Sequence, residues 1–278
     1  MAALNITSLV KHIDELRAVM LDAPFDLLAI NETRLDDSIP DNDVNIQGYL
    51  IVRNDRNRLG GGVAIYIKET IDFTHRQDLR FFSLESISIE IVKSHSKSFV
   101  VSTWYRPPCS GPDTFRLFEQ LLSRLDDEPS ESIVLGDFNC DVLNCRENRN
   151  TSVLMSLYEE YQYTQMISSP TRITESTSSL IDHVITNSPQ YIIKSGVIHL
   201  GISDHSLIYV VRRLAQSWGL PRMIESRRFN NFDEERFLHD LGSKPWDLLE
   251  ISDDPNDKLY MLSRMLLDVL DEVNSLRS

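Results

Sequence analysis

The chain has 278 residues, 41% hydrophobic and 25% charged, with a formal net charge of −14, a composition that suits one large globular domain with an appendage. No apolar run approaches the ~20 residues of a membrane span, and the start runs into Lys11 and His12 without a signal peptide's apolar core. The acidic excess argues against a generic nucleic-acid binder, which carries a basic surface, but leaves room for an enzyme that gathers carboxylates around a divalent cation.

Residues 7–21 read as an amphipathic helix, with Leu9, Ile13, Leu16 and Met20 on one face. A buried strand is expected at 26–30, followed by polar Asn31-Glu32-Thr33 and a polar loop over 34–47. Residues 49–53 and 62–67 form the next strand pair, with Val63, Ile65 and Ile67 sharing a face. Two more strands fit at 86–92 and 99–105, the second ended by Pro107-Pro108. A helix over 113–125 carries Phe115, Phe118, Leu122 and Leu125 at helical spacing. A strand at 133–135, a helix over 153–161 and strands at 180–185, 191–198 and 206–211 complete a packed two-sheet α/β domain over 1–212.

Periodicity is lost from Arg212 to Arg228, which marks a linker. Beyond it, 233–241 reads as a short helix stopped by Gly242. Asp254-Pro255 then resembles an N-cap followed by proline at the first helical position. The long helix it opens has Leu259, Leu262, Leu266, Val269, Val273 and Leu276 three and four residues apart. That pattern serves either for packing within the unit or as a coiled-coil face. Cys109, Cys140 and Cys145 lack zinc-type spacing and read as reduced thiols. Asn5-Ile6-Thr7 and Asn31-Glu32-Thr33 read as chance matches to the glycosylation pattern, so an intracellular protein is expected.

The most informative stretch is Ser132-Ile-Val-Leu-Gly-Asp-Phe-Asn139. Alternate strand residues face the same way, so Asp137 and Asn139 emerge together past the buried run. Open α/β sheets place their chemistry at such carboxyl ends. Asn5, Glu32, Tyr105 beside Arg106, Asp182, and Ser203-Asp204-His205 stand at other strand ends. Each alone has an ordinary explanation: a solvated carboxylate, a strand-end aromatic, a surface imidazole. Together they are the oxygen ligands and proton carriers that metal-assisted chemistry uses.

This ordered set, with its Ile30-Asn-Glu-Thr33, Gly136-Asp-Phe-Asn139, Ile181-Asp-His183 and Ser203-Asp-His205, resembles the endonuclease/exonuclease/phosphatase family. That family includes abasic-site endonucleases, deoxyribonuclease I, sphingomyelinases and inositol-polyphosphate phosphatases. Gly60-Gly-Gly-Val-Ala-Ile-Tyr66 and Trp104-Tyr-Arg-Pro-Pro108 are similar to one branch, the endonuclease domain of non-LTR (LINE-type) retrotransposons, which precedes a reverse transcriptase in a longer polyprotein. The resemblance covers 4–212, and 229–278 is similar to the connector between the two enzymes. It implies two packed mixed β-sheets flanked by helices in a four-layer α/β sandwich, with a helical C-terminal extension. The expected organisation is a catalytic domain over 1–212, a linker over 213–228 and the extension over 229–278. Two departures stand out: Thr7 occupies a place that is acidic in the abasic-site enzymes, and the chain begins only four residues before Asn5. The latter predicts a clipped first strand at a sheet edge. No Tyr-Ala-Asp-Asp polymerase motif is present.

The resemblance implies a Mg²⁺- or Mn²⁺-dependent phosphodiester hydrolase that nicks duplex DNA and leaves a 3′-hydroxyl for target-primed reverse transcription. Its partners would be duplex DNA and a reverse transcriptase domain, with no membrane, and it would act in the nucleus. Glu32 is then the principal metal ligand and Asn5 its hydrogen-bonding or coordinating neighbour. Asp204 would hold the loop of His205 or assist a second metal. Asp137 orients and deprotonates the attacking water, and Asn139 fixes the water or the phosphate. His205, aimed by Asp182, donates to a phosphoryl oxygen, and Tyr105 contacts the phosphate or the leaving group. Arg34, Arg56, Arg58 and Arg106 are the leading backbone contacts, with Arg53 and Arg172 further candidates. The alternatives are a phosphatase or phospholipase-type phosphodiesterase on the same scaffold, and an inactive retrotransposon remnant.

Overall fold

A computed structural model describes residues 1–92, 97–128, 130–144, 148–174, 176–213, 232–250 and 254–273. The chain divides into two compact units, Met1–Gln216 and Ser217–Ser278. Past Arg213, the expected linker lies outside the described residues.

The first unit holds two six-stranded mixed sheets. The first sheet comprises β1 (Ala2–Asn5), β2 (Leu27–Asn31), β3 (Tyr49–Asn54), β4 (Val63–Lys68), β13 (Ile192–Ile198) and β14 (Leu207–Arg212), in the order β13-β14-β1-β2-β4-β3. The second comprises β5 (Phe73–His75), β6 (Glu85–Ile91), β7 (Phe99–Tyr105), β8 (Glu131–Asp137), β9 (Thr164–Gln165) and β12 (Asp182–Thr186), in the order β5-β6-β7-β8-β12-β9. A small hairpin, β10 (Arg172–Ile173) and β11 (Ser178–Ser179), stands apart from both. Each sheet has one parallel pair: β1 with β2, joined by helix α1 (Leu9–Asp22), and β7 with β8, joined by α2 (Asp113–Asp126). Helix α3 (Arg149–Glu160) follows β8.

Period-two patterning explains the layers. In β8, Ile133 and Leu135 enter the core between the sheets with Ala29, Ile65, Ile89 and Val184. Val134, on the other face, joins Trp104, Phe118 and Leu154 under α2 and α3. On the first sheet, Leu4, Leu28 and Ile30 meet Leu9, Ile13, Leu16 and Met20 of α1. Both sheets are thus covered on both faces, which is why their central strands read as continuous apolar runs.

The predicted strands and helices form within a few residues, with α3 beginning earlier because the Asn148 side chain caps it through the Asn150 amide. The short, polar β5, β9, β10 and β11 carry no alternating signal and were missed. The expected edge position of the first strand is overturned: β1 is internal, flanked by β14 and β2, with all four residues buried.

In the second unit, α4 (Glu234–Gly242) is capped by the Asp233 side chain, and α5 (Pro255–Val273) opens at Asp254-Pro255 as expected. The helices α4 and α5 pack together. Of the expected stripe, Val269 is buried, Leu259 is 62% exposed and Leu276 lies outside the described residues. Among the described residues, no helix is long and apolar enough to cross a membrane.

Candidate active site

The carboxyl ends of both parallel pairs open at one end of the sandwich. Strand β12 is antiparallel to β8, with Asp182 opposite Asp137, so its first residue arrives at the same place as the last of β8. The residues before β14 deliver His205 there as well. Chain topology therefore collects residues from six parts of the sequence.

The last residues of β8 can be built only with a glycine before Asp137. Gly136 has φ 145°, and a Cβ there would lie 2.2 Å from the Trp104 carbonyl oxygen and 2.8 Å from Asn31 Oδ1. That close approach lets Asn31 accept from the Asp137 amide at 2.8 Å while donating to Thr103 Oγ1 at 3.2 Å, tying the two sheets together beneath the site. Thr7, Glu32, Arg34 and Asn139 all have positive φ, between 48° and 63°. Such strain persists where surrounding bonds over-determine it, and it gathers at functional sites.

At the centre, Asn5 Nδ2 donates to Glu32 Oε1 (3.1 Å) and to Asp137 Oδ2 (2.9 Å). Its Oδ1 accepts from the Thr7 amide at 3.0 Å. Asn5 thus bonds both carboxylates, and Thr7 meets it through its main chain. Glu32 also accepts from the Tyr105 hydroxyl (2.9 Å) and from Arg34 (3.1 Å). Burial pushes Glu32 toward the neutral form, but the donors Asn5, Tyr105 and Arg34 outweigh it, and its carboxyl is more acidic than usual. Tyr105 is raised well above an ordinary phenol by burial and by Glu32, and so stays neutral.

Asp137 is 1% exposed and pushed up to about 7 by burial and by Asp182, against the pull of His205 and Asn5. Asn139 donates to it from its amide (2.9 Å) and from Nδ2 (3.1 Å). His205 Nδ1 lies 2.9 Å from Asp182 Oδ2, and its Nε2 lies 4.0 Å from Asp137 Oδ2. Burial lowers the imidazole, yet Asp182, Asp137 and Asp204 raise it to about 9, so it carries a proton at neutral pH. Two further positioning residues are Thr171, which carried no sequence signal, and Ser203 of the Ser203-Asp-His205 stretch. Thr171 Oγ1 accepts from the Asp182 amide (3.1 Å), and Ser203 Oγ donates to the Asn5 carbonyl (2.7 Å).

The donor set suits a hard divalent cation. Glu32 offers carboxylate oxygens, and Asp137, Asp182 and His205 present ligand atoms within 4.8 Å of one another. The upward shift of Asp137 comes first from burial and then from the Asp182 carboxylate, and a cation nearby would oppose both. Glu32, joined to Asp137 through the Asn5 amide, is the residue that would hold such an ion.

The remaining expected residues divide. Arg34 reaches the site through Glu32. Asp204 pairs with Arg172 at 2.7 Å, and, like Glu32, it lies outside the Asp137–Asp182–His205 group. Arg56 pairs with Glu85 (2.7 Å) on a loop whose Gly62 amide also bonds Glu85 (2.6 Å), and Arg58 is exposed on the same loop. Arg53 is taken up by Asp41 and Asp55. Arg106 is corrected: it is 0% exposed, with its guanidinium 4.7 Å over the Phe115 ring, and no phosphate can reach it in this fold.

Six strand ends converging on two carboxylates and an Asp–His pair define a hydrolase of the nuclease and phosphatase kind. The chain belongs to the Endonuclease/Exonuclease/phosphatase family, whose sequence model matches residues 3–205. Among solved structures it is similar to the endonuclease domain of TRAS1, a telomere-specific non-LTR retrotransposon, with 15% identity and TM-score 0.62, over 77% of this chain and 98% of that one. It is also similar to the AP endonuclease LMAP of Leishmania major (14% identity, TM-score 0.65, 77% and 87% covered). The 3′ phosphatase NExo from Neisseria, bound to a product DNA hairpin, is a third (15% identity, TM-score 0.61, 77% and 98% covered). No curated protein matches the chain. These likenesses bear out the expected superfamily and four-layer architecture.

Proposed function

We propose that this chain is a divalent-metal-dependent DNA endonuclease of the non-LTR retrotransposon type, cutting one strand of duplex DNA to leave a 3′-hydroxyl. The observation that carries this reading is the Asn5 amide joining Glu32 to Asp137, opposite an Asp182–His205 pair. The likeness to the TRAS1 domain over nearly its whole length supports the branch. In this reading a reverse transcriptase is the functional partner and the nucleus the place of action.

Glu32 would hold Mg²⁺ or Mn²⁺, which would supply positive charge to the phosphoryl oxygens. The chain's own residues do the rest. Asp137, with an acidity near neutral pH, accepts a proton from water as the water oxygen attacks phosphorus. Asn139 holds that carboxylate in line. The imidazolium of His205, aimed by Asp182, donates a hydrogen bond from Nε2 to a non-bridging oxygen. The P–O3′ bond breaks, and the 3′-oxygen takes its proton from solvent. Neutral Tyr105 keeps Glu32 oriented and ionised. Arg34, Arg56 and Arg58 contact the strand backbone.

A second reading, removal of a 3′-phosphate from DNA, is favoured by the likeness to the neisserial enzyme. One experiment separates them: supercoiled plasmid and a 3′-phosphorylated hairpin, each with Mg²⁺ and with EDTA, beside Glu32→Ala and His205→Ala. Metal-dependent open circles, lost in both variants, are expected. Hairpin dephosphorylation without nicking would favour the second reading, and neither activity would leave an inactive remnant.

A further inference from the structure

Arg106 is a charged side chain with no contact to solvent, and among the described residues no carboxylate forms an ion pair with it. A buried cation is expensive unless its donors are used. Among the described residues only Nη1 is used, reaching the carbonyl oxygens of Phe138 and Asn139 at 3.4 Å each, while Nε and Nη2 are buried without a hydrogen-bond partner. The Arg106 backbone grips the same turn, its amide donating to the Asp137 carbonyl (2.9 Å) and its carbonyl accepting from Asn139 Nδ2 (2.8 Å). The Phe115 ring closes the far side of the guanidinium. Three successive residues, Asp137, Phe138 and Asn139, are thus tied to one arginine, and the last has the strained φ of 48°.

We infer that Arg106 is a positioning residue that clamps the Asp137–Asn139 turn from within and so sets where the Asp137 carboxylate stands. It acts through the turn and does not touch substrate. The inference rests on the proposed hydrolysis only for its kinetic consequence. Main-chain carbonyls are good partners for this task, because a carboxylate there would add negative charge beside Asp137 and Asp182.

The test uses the full chain with Arg106→Met and Arg106→Lys, read by amide hydrogen exchange and by nicking kinetics. In Arg106→Met, exchange at 138–140 should rise at least ~10-fold while amides of β2 and β4 hold, since the opening is local. The value of kcat should fall by roughly 10²-fold, as expected when a reacting group is misplaced by about 1 Å. The salt dependence of KM should be unchanged, because no phosphate contact is lost. Lysine, which keeps a donor and the charge, should restore part of both. Unchanged exchange at the turn would overturn the inference. So would a salt slope reduced by about one with kcat intact, the mark of a direct phosphate contact. If Arg106→Met does not fold, Phe115→Leu should loosen the same amides, and failure to do so would overturn it. A wild type inert on DNA would sink the endonuclease reading alone, because the exchange arm needs no activity.

Discussion

Glu32 and Asp137 occupy corresponding places in the two sheets. Each stands at the carboxyl end of the second strand of a parallel β–α–β unit, each neighbours a residue or is itself a residue of positive φ, and each accepts from the same Asn5 amide. Their acidities nevertheless move apart. Burial raises both, but Glu32 has three side-chain donors and remains an anion. Asp137 is deeper, faces Asp182, and rises to about 7 despite His205 and Asn5. When two environments push paired carboxyls in opposite directions, they divide the chemistry between a permanent anion and a base. The fold makes one strand end suited to holding a cation and the equivalent end suited to moving a proton.

The largest expected effect separates these roles directly. Glu32→Gln and Asp137→Asn should each lower the nicking rate by about 10³-fold. Only Glu32→Gln should abolish Mn²⁺ binding measured by calorimetry or electron spin resonance. Equal loss of metal in both would erase the division. Next in size, Gly136→Ala would push a methyl against the Trp104 carbonyl and strain the turn beneath Asp137. A destabilisation of about 3 kcal/mol in chemical denaturation is expected, and a neutral result would show the turn can relax.

The pH profile comes third. Asp137 must be ionised to accept a proton, so the rate should rise with pH toward 7; His205 must keep its proton, so the rate should fall as pH passes about 9. A bound cation favours the ionised carboxylate and moves the acid limb lower. Asp182→Asn removes the foremost group raising His205 and should bring the basic limb down. A basic limb that stays in place would separate His205 from it. The smallest effect belongs to Arg34→Ala. This half-exposed pair with Glu32 is worth about 1 kcal/mol or less, so Mg²⁺ titration of activity should shift by less than about 5-fold.

Much of the site was legible because its residues sit where strands end. A polar residue beside an apolar run is visible without coordinates: Asn5, Glu32, Tyr105, Asp137 and Asn139 stand where such runs end, and Asp182 and His205 stand at or just before the start of one. The arginines were not legible. Arg106 and Arg56 look alike in sequence as basic residues near loops, yet one is sealed beneath Phe115 and the other pairs at the surface with Glu85. Charge says that a residue wants a partner, not which partner the fold will bring.

By itself, the sequence determined the two-sheet α/β class, the strand ends and the residue types of the chemistry, because alternation and turn chemistry are local. Only the tertiary structure decided that β1 is internal and that Asn5 spans two carboxylates. It also decided that Asp137 and Glu32 differ in acidity. Those outcomes depend on burial and on partners distant in the chain, such as Asn5 and Asp137, 132 positions apart, and no local pattern encodes either.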